Sequence, residues 1–310
     1  MKTFTKTLLA TTVAFAFAGS AYAEGCDKVI FSDVGWTDIT ATTATSALIL
    51  NALGYETEIK VLSVPVTYTG LAEGDIDVFL GNWMPTMEAD IAPYRDAGKV
   101  ETVRTNLEGA KYTLATNAAG VAVGITDFAS IAAAKDALEG QIYGIEPGND
   151  GNRLILEMIA SGPFGLDGFD VVESSEQGML AEVAKHDGDG KPIVFLGWEP
   201  HPMNANFKMT YLADGDDSFG PNFGGAVVDT NTRKGLSAEC PNTGKLLANL
   251  SFTLAMENEI MGKILNDGED GETAAKAWLA ANPATWEPWM EGVTTKDGGD
   301  AKAAVTAALQ

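Results

Sequence analysis

Histidine is almost absent from the 310-residue sequence, which contains only His186 and His201. A serine–histidine or histidine–metal mechanism would have to use one of these two residues, and His201, between Pro200 and Pro202, better fits a structural role. The sequence also lacks the G-x-S-x-G, H-E-x-x-H, Walker A and G-x-G-x-x-G motifs. We therefore expect no enzymatic activity, no catalytic residue and no cofactor.

The nearest approach to a metal-binding motif is DGDGKP at residues 187–192. It begins like an EF-hand loop, but Lys191 occupies a ligand position and Pro192 the position of the required glycine. We interpret this stretch as a turn, and the sequence predicts no metal site.

Long apolar runs are missing beyond the N-terminus. There, a short region with two lysines precedes an apolar run over Leu8–Ala18, and Ala21-Tyr22-Ala23 has the form of an A-x-A cleavage site. This combination predicts a secretory signal peptide over residues 1–23 and a mature periplasmic chain that begins at Glu24. No second stretch approaches the roughly 20 apolar residues of a spanning helix, so no membrane insertion is expected.

Basic residues are scarce, because 20 Lys and Arg stand against 43 Asp and Glu and give a formal charge of −23. Loss of the two lysines in the predicted signal peptide would take this charge to −25. Nucleic acid and anionic membrane surfaces would repel such a chain, so neither is an expected partner. Solubility is the simplest explanation of the acidity, which is also compatible with a cationic ligand.

Only two cysteines occur, Cys26 and Cys240. Two cysteines in an exported protein most often pair, because the compartment is oxidising. In the chain-entropy model, closing a loop of this length contributes roughly 5 kcal/mol to stability. Metal binding or a nucleophilic thiol would need a nearby histidine, which the local sequence does not supply. We therefore predict a disulfide, and a shared domain for the start of the mature chain and the region after Cys240.

Short apolar and β-branched runs alternate with helical patterns along most of the chain. Such alternation is typical of α/β proteins with mainly parallel sheets. The predicted strands are 29–32, 57–63, 78–80, 141–145, 171–173 and 193–196, and the predicted helices are 38–53, 67–73, 151–160 and 177–186. From about Ser251 the pattern is largely helical, with Pro283 and Pro288 interrupting it. The predicted fold class is α/β.

One pattern occurs twice, as DVFLGNWMP at 77–85 and as IVFLGWEPHP at 193–202. In each, a buried Val-Phe-Leu strand is followed by glycine, tryptophan and proline. The tryptophan of the first run lies 47 residues after Trp36, and that of the second lies 49 residues after Asn149. Because these spacings are similar, we predict two similar α/β lobes that face one another.

Three tryptophans, Trp36, Trp83 and Trp198, are predicted in turns at the carboxyl ends of strands, where ligands bind in open α/β sheets. A glycine shortly before each lets the backbone turn sharply, and a proline fixes the loop after two of them. A tryptophan after a strand also commonly packs in a core, but three at equivalent strand ends favour a ligand-binding wall. Packing is the expected role of the C-terminal tryptophans Trp278, Trp286 and Trp289.

Several indole rings suit a quaternary ammonium better than the bases or sugars that also stack on them. Its methyl groups offer no hydrogen-bond donor, so ring faces must stabilise its charge, at roughly 0.5–2 kcal/mol each. Asp38, two residues after Trp36, would place a carboxylate near the cation, and with Asn149 it would bind a hydroxyl group. Asp38 equally fits a helix N-terminal acid favoured by the helix dipole, and both interpretations stay open.

Five stretches together resemble one protein family: GWTD, FLGNWMP, Lys111-Tyr112, EPGND and FLGWEPHPM. The family comprises the substrate-binding proteins of ABC importers for glycine betaine, proline betaine and choline. The resemblance extends from Val29 to the segment Trp278–Pro283. It implies a two-lobed periplasmic binding protein of type II, the Venus-flytrap type, whose lobes close over the ligand. Lobe 1 would comprise residues 24–110 and 212–310, and lobe 2 residues 111–211.

The resemblance also implies a ligand-binding site between the lobes. An aromatic box would be formed by Trp36, Trp83, Tyr112 and Trp198, with Asp38 and Asn149 on the hydroxyl of choline. Tyr112 is assigned by the resemblance alone, because a strand tyrosine otherwise packs in a core. Asp150, next to Asn149, leaves open which of the two side chains contacts the ligand. Cys26 and Cys240 lie where a disulfide of the family is expected.

The predicted function is capture of choline by a monomeric binding protein and its delivery to the membrane permease of an ABC importer. Acetylcholine or betaine would bind more weakly. A glycine betaine or proline betaine receptor is the alternative within the family, and Asp38 discriminates between them because its carboxylate would repel a ligand carboxylate. An exported choline-ester hydrolase is an alternative of another class, disfavoured by the missing catalytic motifs.

Overall fold

The computed structural model describes residues 26–310. The signal peptide predicted over residues 1–23, its cleavage after Ala23 and the mature start at Glu24 lie outside the described residues. Among residues 26–310, no helix is both long enough and apolar enough to cross a membrane.

Over residues 26–310 the chain forms nine strands: β1 (Lys28–Asp33), β2 (Glu56–Val61), β3 (Val78–Met84), β4 (Val100–Asn117), β5 (Gln141–Tyr143), β6 (Asp170–Val172), β7 (Val194–Glu199), β8 (Met209–Tyr211) and β9 (Gly225–Arg233). They form one sheet in the order β2-β1-β3-β9-β4-β7-β5-β6, and β8 pairs with β4 outside this path. Six of these strands coincide with predicted ones, whereas β4, β8 and β9 were not predicted.

The sheet has two halves of the same construction. In the first half, β2, β1 and β3 are parallel, and β9 runs antiparallel to β3. In the second half, β6, β5 and β7 are parallel, and β4 runs antiparallel to β7. β9 and β4 pair antiparallel with each other and thereby join the halves. The predicted α/β class with two similar, mainly parallel parts is confirmed.

The repeated Val-Phe-Leu runs form the centres of β3 and β7. Phe79 and Phe195 have no exposed surface, and their apolar neighbours are buried as well. Continuous apolar runs of this kind are expected for strands of a parallel sheet, because helices cover both of its faces.

The helices of residues 26–310 are α1 (Thr37–Ala52), α2 (Val64–Glu73), α3 (Glu88–Asp96), α4 (Ala118–Ala122), α5 (Phe128–Ala133), α6 (Asp150–Ser161), α7 (Glu176–Asp189), α8 (Met203–Asn206), α9 (Asp216–Phe219), α10 (Pro221–Gly224), α11 (Leu236–Glu239), α12 (Pro241–Asn249), α13 (Leu254–Leu265), α14 (Gly271–Ala281), α15 (Pro283–Trp286) and α16 (Ala301–Ala308). A 3₁₀ helix follows α15 at Glu287–Met290. The four predicted helices correspond to α1, α2, α6 and α7. Pro283 and Pro288 lie in the first turns of short helices, where proline is tolerated.

The stretch 187–192, predicted as a turn, is helical in its first part. α7 continues through Asp189 and ends at Gly190, which adopts a left-handed φ of 65° as its C-cap. The prediction was wrong for 187–189 because Gly190, rather than the first aspartate of the stretch, ends the helix. In the described part of the chain, no group of three or more His, Cys, Asp or Glu side chains is placed to hold a metal ion.

β4 carries the chain from the first half to the second. It is 18 residues long, and its segment Val100–Lys111 pairs with β9 while Lys111–Thr116 pairs with β7. The crossing therefore lies near Lys111. Because β4 is continuous and pairs with strands of both halves, it joins the two halves into one sheet.

The return to the first half occurs between β8 and β9. Leu212 still contacts the second half, since its N–H donates to the Leu114 carbonyl oxygen at 2.9 Å. The ring of Phe219 lies 5.8 Å from that of Tyr112. Residues 212–219 thus pack on the second half before β9 enters the first, and the predicted lobe boundaries stay a prediction.

The C-terminal tryptophans belong to the packing between helices. Trp286 is fully buried and donates from Nε1 to the Leu279 carbonyl oxygen at 3.0 Å. Trp289 packs edge-on against Phe252, with ring centroids 5.8 Å apart. Trp278 is also buried. Their expected packing role agrees with this arrangement.

The predicted disulfide is confirmed: Cys26 and Cys240 are bonded, with their Cα atoms 5.4 Å apart. The bond joins the segment before β1 to the junction of α11 and α12. Both cysteines are buried. The start of the described chain and the region around Cys240 are therefore packed in the same part of the molecule.

Candidate ligand-binding site

A small cavity lies where the two halves of the sheet meet. It is lined by Trp36, Asp38, Trp83, Tyr112, Ile145, Asn149, Asp150 and Trp198. The structure thus brings together all six residues that the sequence analysis assigned to a ligand.

Trp36 and Asp38 reach the cavity from the start of α1. Gly35 has a φ of +84°, a conformation that glycine adopts most readily, and it turns the chain from β1 into the helix. Trp36 is the N-cap residue of α1, and Asp38 lies in its first turn. The strand, turn and helix predicted here therefore place both side chains.

Trp83 and Trp198 lie within strands, and the prediction that they occupy turns was wrong. β3 extends to Met84 and β7 extends to Glu199. Each strand continues because it has an antiparallel partner: Trp83 is opposite Val228 of β9, and Trp198 is opposite Tyr112 of β4. These partner strands were not predicted, so the glycines before the tryptophans were interpreted as strand ends.

Four aromatic side chains form most of the cavity wall. Trp36, Trp83, Tyr112 and Trp198 are all buried, with 3–6% of their surface exposed. The ring centroid of Tyr112 lies 6.0 Å from that of Trp83 and 6.3 Å from that of Trp198, with interplanar angles of 60° and 81°. The ring of Tyr112 is thus steeply inclined to those of Trp83 and Trp198, and aromatic side chains from both halves line the cavity.

Asn149 and Asp150 reach the cavity from the start of α6. Asn149 is the N-cap residue, and its Oδ1 accepts from Asn152 N–H at 3.2 Å and from the Tyr112 hydroxyl at 2.9 Å. Its Nδ2 donates to Asp150 Oδ1 at 3.1 Å. The amide of Asn149 therefore holds both the tyrosine ring and the neighbouring carboxyl in place.

Asp38 is a buried carboxyl with one satisfied oxygen. Its Oδ2 accepts from Trp83 Nε1 at 3.1 Å, whereas its Oδ1 has no hydrogen-bond partner among the described residues. Burial, reinforced by the nearby carboxyl of Glu176, raises the pKa of Asp38 to about 8. Uncompensated burial of a carboxylate disfavours its charged form, so a ligand cation would be a strong partner for it.

Asp150 is buried in a similar way. Its Oδ2 also lacks a hydrogen-bond partner within residues 26–310. The adjacent Thr86 hydroxyl donates to the Trp83 carbonyl oxygen at 3.3 Å. Burial, reinforced by the nearby carboxyl of Asp90, raises the pKa of Asp150 to about 6, and Thr86 and the guanidinium of Arg153 oppose this rise. The cavity therefore has two carboxyls, each with an unpartnered oxygen.

Hydrogen bonds next to the cavity connect the two halves. Trp36 Nε1 donates to Glu146 Oε1 at 2.9 Å, and Thr37 donates to Glu176 from its backbone N–H at 2.8 Å and from its hydroxyl at 2.5 Å. Arg153 donates to the Thr86 carbonyl oxygen at 3.0 Å. The cavity is thus closed by polar contacts between the start of α1 or the turn after β3 on one side and the second half on the other.

His201 supports the contact made by Glu176. Its Nδ1 accepts from the Met203 N–H at 2.9 Å, so the ring proton belongs on Nε2, which lies 3.1 Å from Glu176 Oε1. The ring also packs against Trp198, with centroids 4.8 Å apart. These contacts agree with the structural role expected for His201.

Several residues around the cavity were not predicted. Ile145 lines the cavity. Next to it, Glu146 accepts a hydrogen bond from Trp36, and Glu176 accepts one from Thr37. Glu146 and Asp150 begin and end the EPGND stretch, so that motif did mark them. Glu176 carries no such signal, because it reaches the site through the packing of α7.

The lining of the cavity indicates the chemistry of its ligand. Among the described residues that line it, none is basic, and the polar atoms without partners are carboxyl oxygens. Aromatic rings attract cations through their faces. The arrangement therefore favours a small cation that offers few hydrogen-bond donors.

Comparison with known proteins gives close relatives. Residues 27–281 match the family described as the substrate binding domain of ABC-type glycine betaine transport systems. A solved structure of an ABC-transporter choline binding protein in complex with choline is 72% identical, covers 93% of this chain and 100% of its own, and has a TM-score of 0.92. An ABC-transporter choline binding protein in an unliganded semi-closed conformation is 73% identical, covers 92% and 99%, and has a TM-score of 0.85.

A more distant relative is the glycine betaine/carnitine transport binding protein GbuC of Listeria monocytogenes. It is 34% identical over 136 residues, which are 44% of each chain. The family match begins directly after Cys26 and ends with α14, and it includes every residue that lines the cavity. Because this match covers most of the chain, the protein belongs to the family of substrate binding domains of ABC-type glycine betaine transport systems.

Proposed function

We propose that the protein captures choline between two lobes and delivers it to the permease of an ABC importer. The observation that carries this proposal is a cavity whose wall combines four aromatic rings with unpartnered carboxyl oxygens and no basic group. The relative that binds choline supports it, because that protein is 72% identical over nearly the whole chain.

The aromatic rings would bind the trimethylammonium group. Trp36, Trp83, Tyr112 and Trp198 each offer an interaction of roughly 0.5–2 kcal/mol with a cation. Together they supply several of the approximately 8 kcal/mol that micromolar affinity requires. Desolvation of the cation is tolerated because its methyl groups leave no donor unsatisfied.

The hydroxyl of choline would lie between Asp38 and Asn149. Asp38 Oδ1 has no partner and would accept the hydroxyl hydrogen. Asn149 Nδ2 uses one hydrogen on Asp150, so its second hydrogen would be donated to the hydroxyl oxygen. Glycine betaine carries a carboxylate in place of this hydroxyl, and ionised Asp38 would repel it.

Ligand binding would stabilise the closed arrangement of the lobes, since only that arrangement completes the wall. Trp36 and Asp38 come from the first half of the sheet, and Tyr112 and Asn149 from the second. A ligand that contacts both shifts the population toward closure. The higher TM-score against the choline-bound relative than against the semi-closed one supports this arrangement.

The proposal includes the organisation of the whole protein. The lobes would comprise residues 24–110 with 212–310 and residues 111–211, and the protein would act as a monomer in the periplasm. Acetylcholine and betaine would be weaker ligands. No chemical step is part of this function, because the cavity wall offers carboxyls, an amide and rings but no activated nucleophile.

Calorimetric titration of the mature protein with choline and with glycine betaine tests the proposal. We expect tighter binding of choline, and Asp38→Asn should weaken choline more than betaine. Asp75→Asn, which removes an exposed carboxylate in the turn after α2, serves as the control. Tighter binding of betaine by the unmodified protein would instead identify a betaine receptor.

The hydrolase alternative has its own test. The protein would be incubated with acetylcholine, and free choline would be measured over time against a sample without protein. We expect no excess release of choline. Release above that background, abolished by a substitution in the cavity wall, would identify an enzyme.

A further inference from the structure

The cavity wall contains two carboxyls, and their surroundings differ. Asp38 and Asp150 are each almost completely buried, and each has one oxygen without a hydrogen-bond partner among the described residues. Each also lies in the first turn of a helix. A helix N-terminus favours negative charge, so this feature does not distinguish them.

The charged groups that act on Asp38 are carboxyls. Glu176 lies close enough to raise its pKa, and Asp38 in turn raises that of the buried Glu257 on α13. Trp83 Nε1 opposes this effect through a side-chain hydrogen bond, as do the backbone N–H groups of Asp38 and Ile39. Placing a full negative charge on Asp38 is therefore costly until a cation enters the cavity.

Asp150 has a different set of neighbours. Asn149 Nδ2 donates to its Oδ1 at 3.1 Å. Burial raises the pKa of Asp150, and the Thr86 hydroxyl and, to a smaller extent, the guanidinium of Arg153, one helical turn further along α6, oppose this rise. Arg153 also binds Asp90 at 3.1 Å, and Asp90 and Glu146 are the other carboxyls near Asp150. Each carboxyl therefore accepts from one side-chain N–H, but the charged groups around Asp150 include a cation as well as carboxyls, whereas those around Asp38 are carboxyls alone.

We infer that Asp150 supplies the negative charge that the quaternary ammonium of the ligand meets, whereas Asp38 serves the hydroxyl of the ligand. The inference rests on the proposed function and assigns the two carboxyls of that site to different groups of the ligand. Asn149 then positions Asp150 in addition to its contact with the ligand hydroxyl, because its side chain already bonds Tyr112, Asn152 N–H and Asp150. With Asp150 ionised, a ligand carboxylate meets repulsion from the second half of the site, and Asp38 adds to that repulsion when it is ionised.

Two ligands separate the roles of charge and hydroxyl. Choline and tetramethylammonium carry the same charge, but only choline has a hydroxyl. Each would be titrated calorimetrically at pH 7.5 against the unmodified protein, Asp150→Asn, Asp38→Asn and the control Asp75→Asn. We expect Asp150→Asn to lower the affinity for both ligands by the same factor, about tenfold or more, because it removes a charge at close range.

The other variants complete the comparison. Asp38→Asn should lower the affinity for choline several-fold more than that for tetramethylammonium, and Asp75→Asn should change neither. The inference is overturned if Asp150→Asn alters tetramethylammonium binding by less than about threefold, the scale of a neutral hydrogen bond. It is also overturned if the effect of this substitution is confined to choline.

Failure of the inference and failure of the proposed function give different results. If the unmodified protein does not bind choline, the proposed function is wrong. If it binds choline while Asp150→Asn binds both ligands normally, only the role of Asp150 is wrong. Circular dichroism checks that each variant is folded, and Asp150→Ser, which also removes the charge, replaces Asp150→Asn in the same titrations should the latter fail to fold.

Discussion

The two halves of the cavity wall are built in the same way but differ in chemistry. Each half supplies the start of a helix, α1 or α6, and a tryptophan on a strand that pairs with a crossing strand. In the first half, the helix start adds Trp36 and Asp38. In the second half, the corresponding helix start adds Asn149 and Asp150.

The difference shows how one scaffold provides two kinds of polar contact. The charged neighbours of the carboxyl in the first half are acids alone, whereas the carboxyl of the second half has an arginine as well as acids near it. Helix starts in both halves fix the backbone, and the few residues around each carboxyl determine its charge. A ligand with a cation at one end and a hydroxyl at the other matches this asymmetry.

The largest expected effect distinguishes the tryptophans of the two halves. Trp83→Leu should lower choline affinity by about 100-fold, because it removes a ring face and also the hydrogen-bond donor to Asp38. Trp198→Leu removes a ring face alone and should cost about tenfold. Calorimetric titration measures both affinities.

The control for these variants is Trp286→Phe, which changes a buried tryptophan outside the cavity. It should lower the melting temperature without changing choline affinity. Equal losses for Trp83→Leu and Trp198→Leu would show that the indole N–H of Trp83 contributes nothing to the site.

The two carboxyls should also affect choline affinity in different pH ranges. The pKa values of Asp38 and Asp150 are raised to about 8 and about 6, and a cation binds best when both are ionised. Choline affinity should therefore rise with pH, by about tenfold between pH 7 and pH 9, because only about a tenth of a group with pKa 8 is ionised at pH 7. Titrations from pH 5 to pH 9 measure this rise.

Each carboxyl should account for its own part of that curve. Asp38→Asn should abolish the rise above pH 7, and Asp150→Asn should abolish the rise between pH 5 and pH 7. An affinity that is constant or falls as pH increases would contradict both assignments.

A smaller effect is expected from the contacts that join the halves. Thr37→Val removes the hydroxyl donor to Glu176 but keeps the β-branched shape, and it should lower choline affinity about fivefold. The bond joins residues of opposite halves, so its loss destabilises the closed arrangement only. Calorimetry gives the affinity, and stopped-flow measurements should show faster dissociation.

Thr40→Val is the matched control for this variant. The Thr40 hydroxyl donates to Asp33 Oδ2 at 2.7 Å, a bond of the same kind within the first half. Thr40→Val should therefore lower the stability of the protein while leaving its affinity for choline unchanged. If both variants lost affinity equally, the contact between the halves would have no special role.

Much of the fold was predictable because its signals are local. The apolar runs of β3 and β7 and the helical patterns of α1 and α6 lie in continuous segments of sequence. β4 and β9 have mixed polar and apolar sequences, and they are held by pairing between residues more than 100 positions apart. No local pattern predicts such pairing, so the strands that join the halves were missed.

The candidate site was predictable to a similar extent. The repeated tryptophan pattern and the acid after Trp36 pointed to a ligand wall, but Tyr112 was assigned only through the family resemblance. Tyr112 lies on the missed strand β4, opposite Trp198. The different surroundings of Asp38 and Asp150 depend on side chains from α7, α13 and α3, which sequence spacing cannot bring together.

The smallest expected effect concerns the stability of the ligand-free protein. Because the folded state raises the pKa of Asp38, it holds a proton that the unfolded chain releases above about pH 4. The contribution of this group to stability therefore falls as pH rises from about 4 to about 8. Asp38→Asn removes this dependence and should stabilise the ligand-free protein by about 1 kcal/mol at pH 8.

Urea unfolding at pH 5 and pH 8 measures this effect, with Asp75→Asn as the control for loss of one carboxylate. The stabilisation by Asp38→Asn should be larger at pH 8 than at pH 5, where the native side chain is already protonated. Asp150→Asn should give a smaller difference between the two pH values, since the pKa of Asp150 is raised less. A variant Asp38→Asn that is less stable than the unmodified protein at pH 8 would mean that the buried carboxyl is satisfied without a ligand.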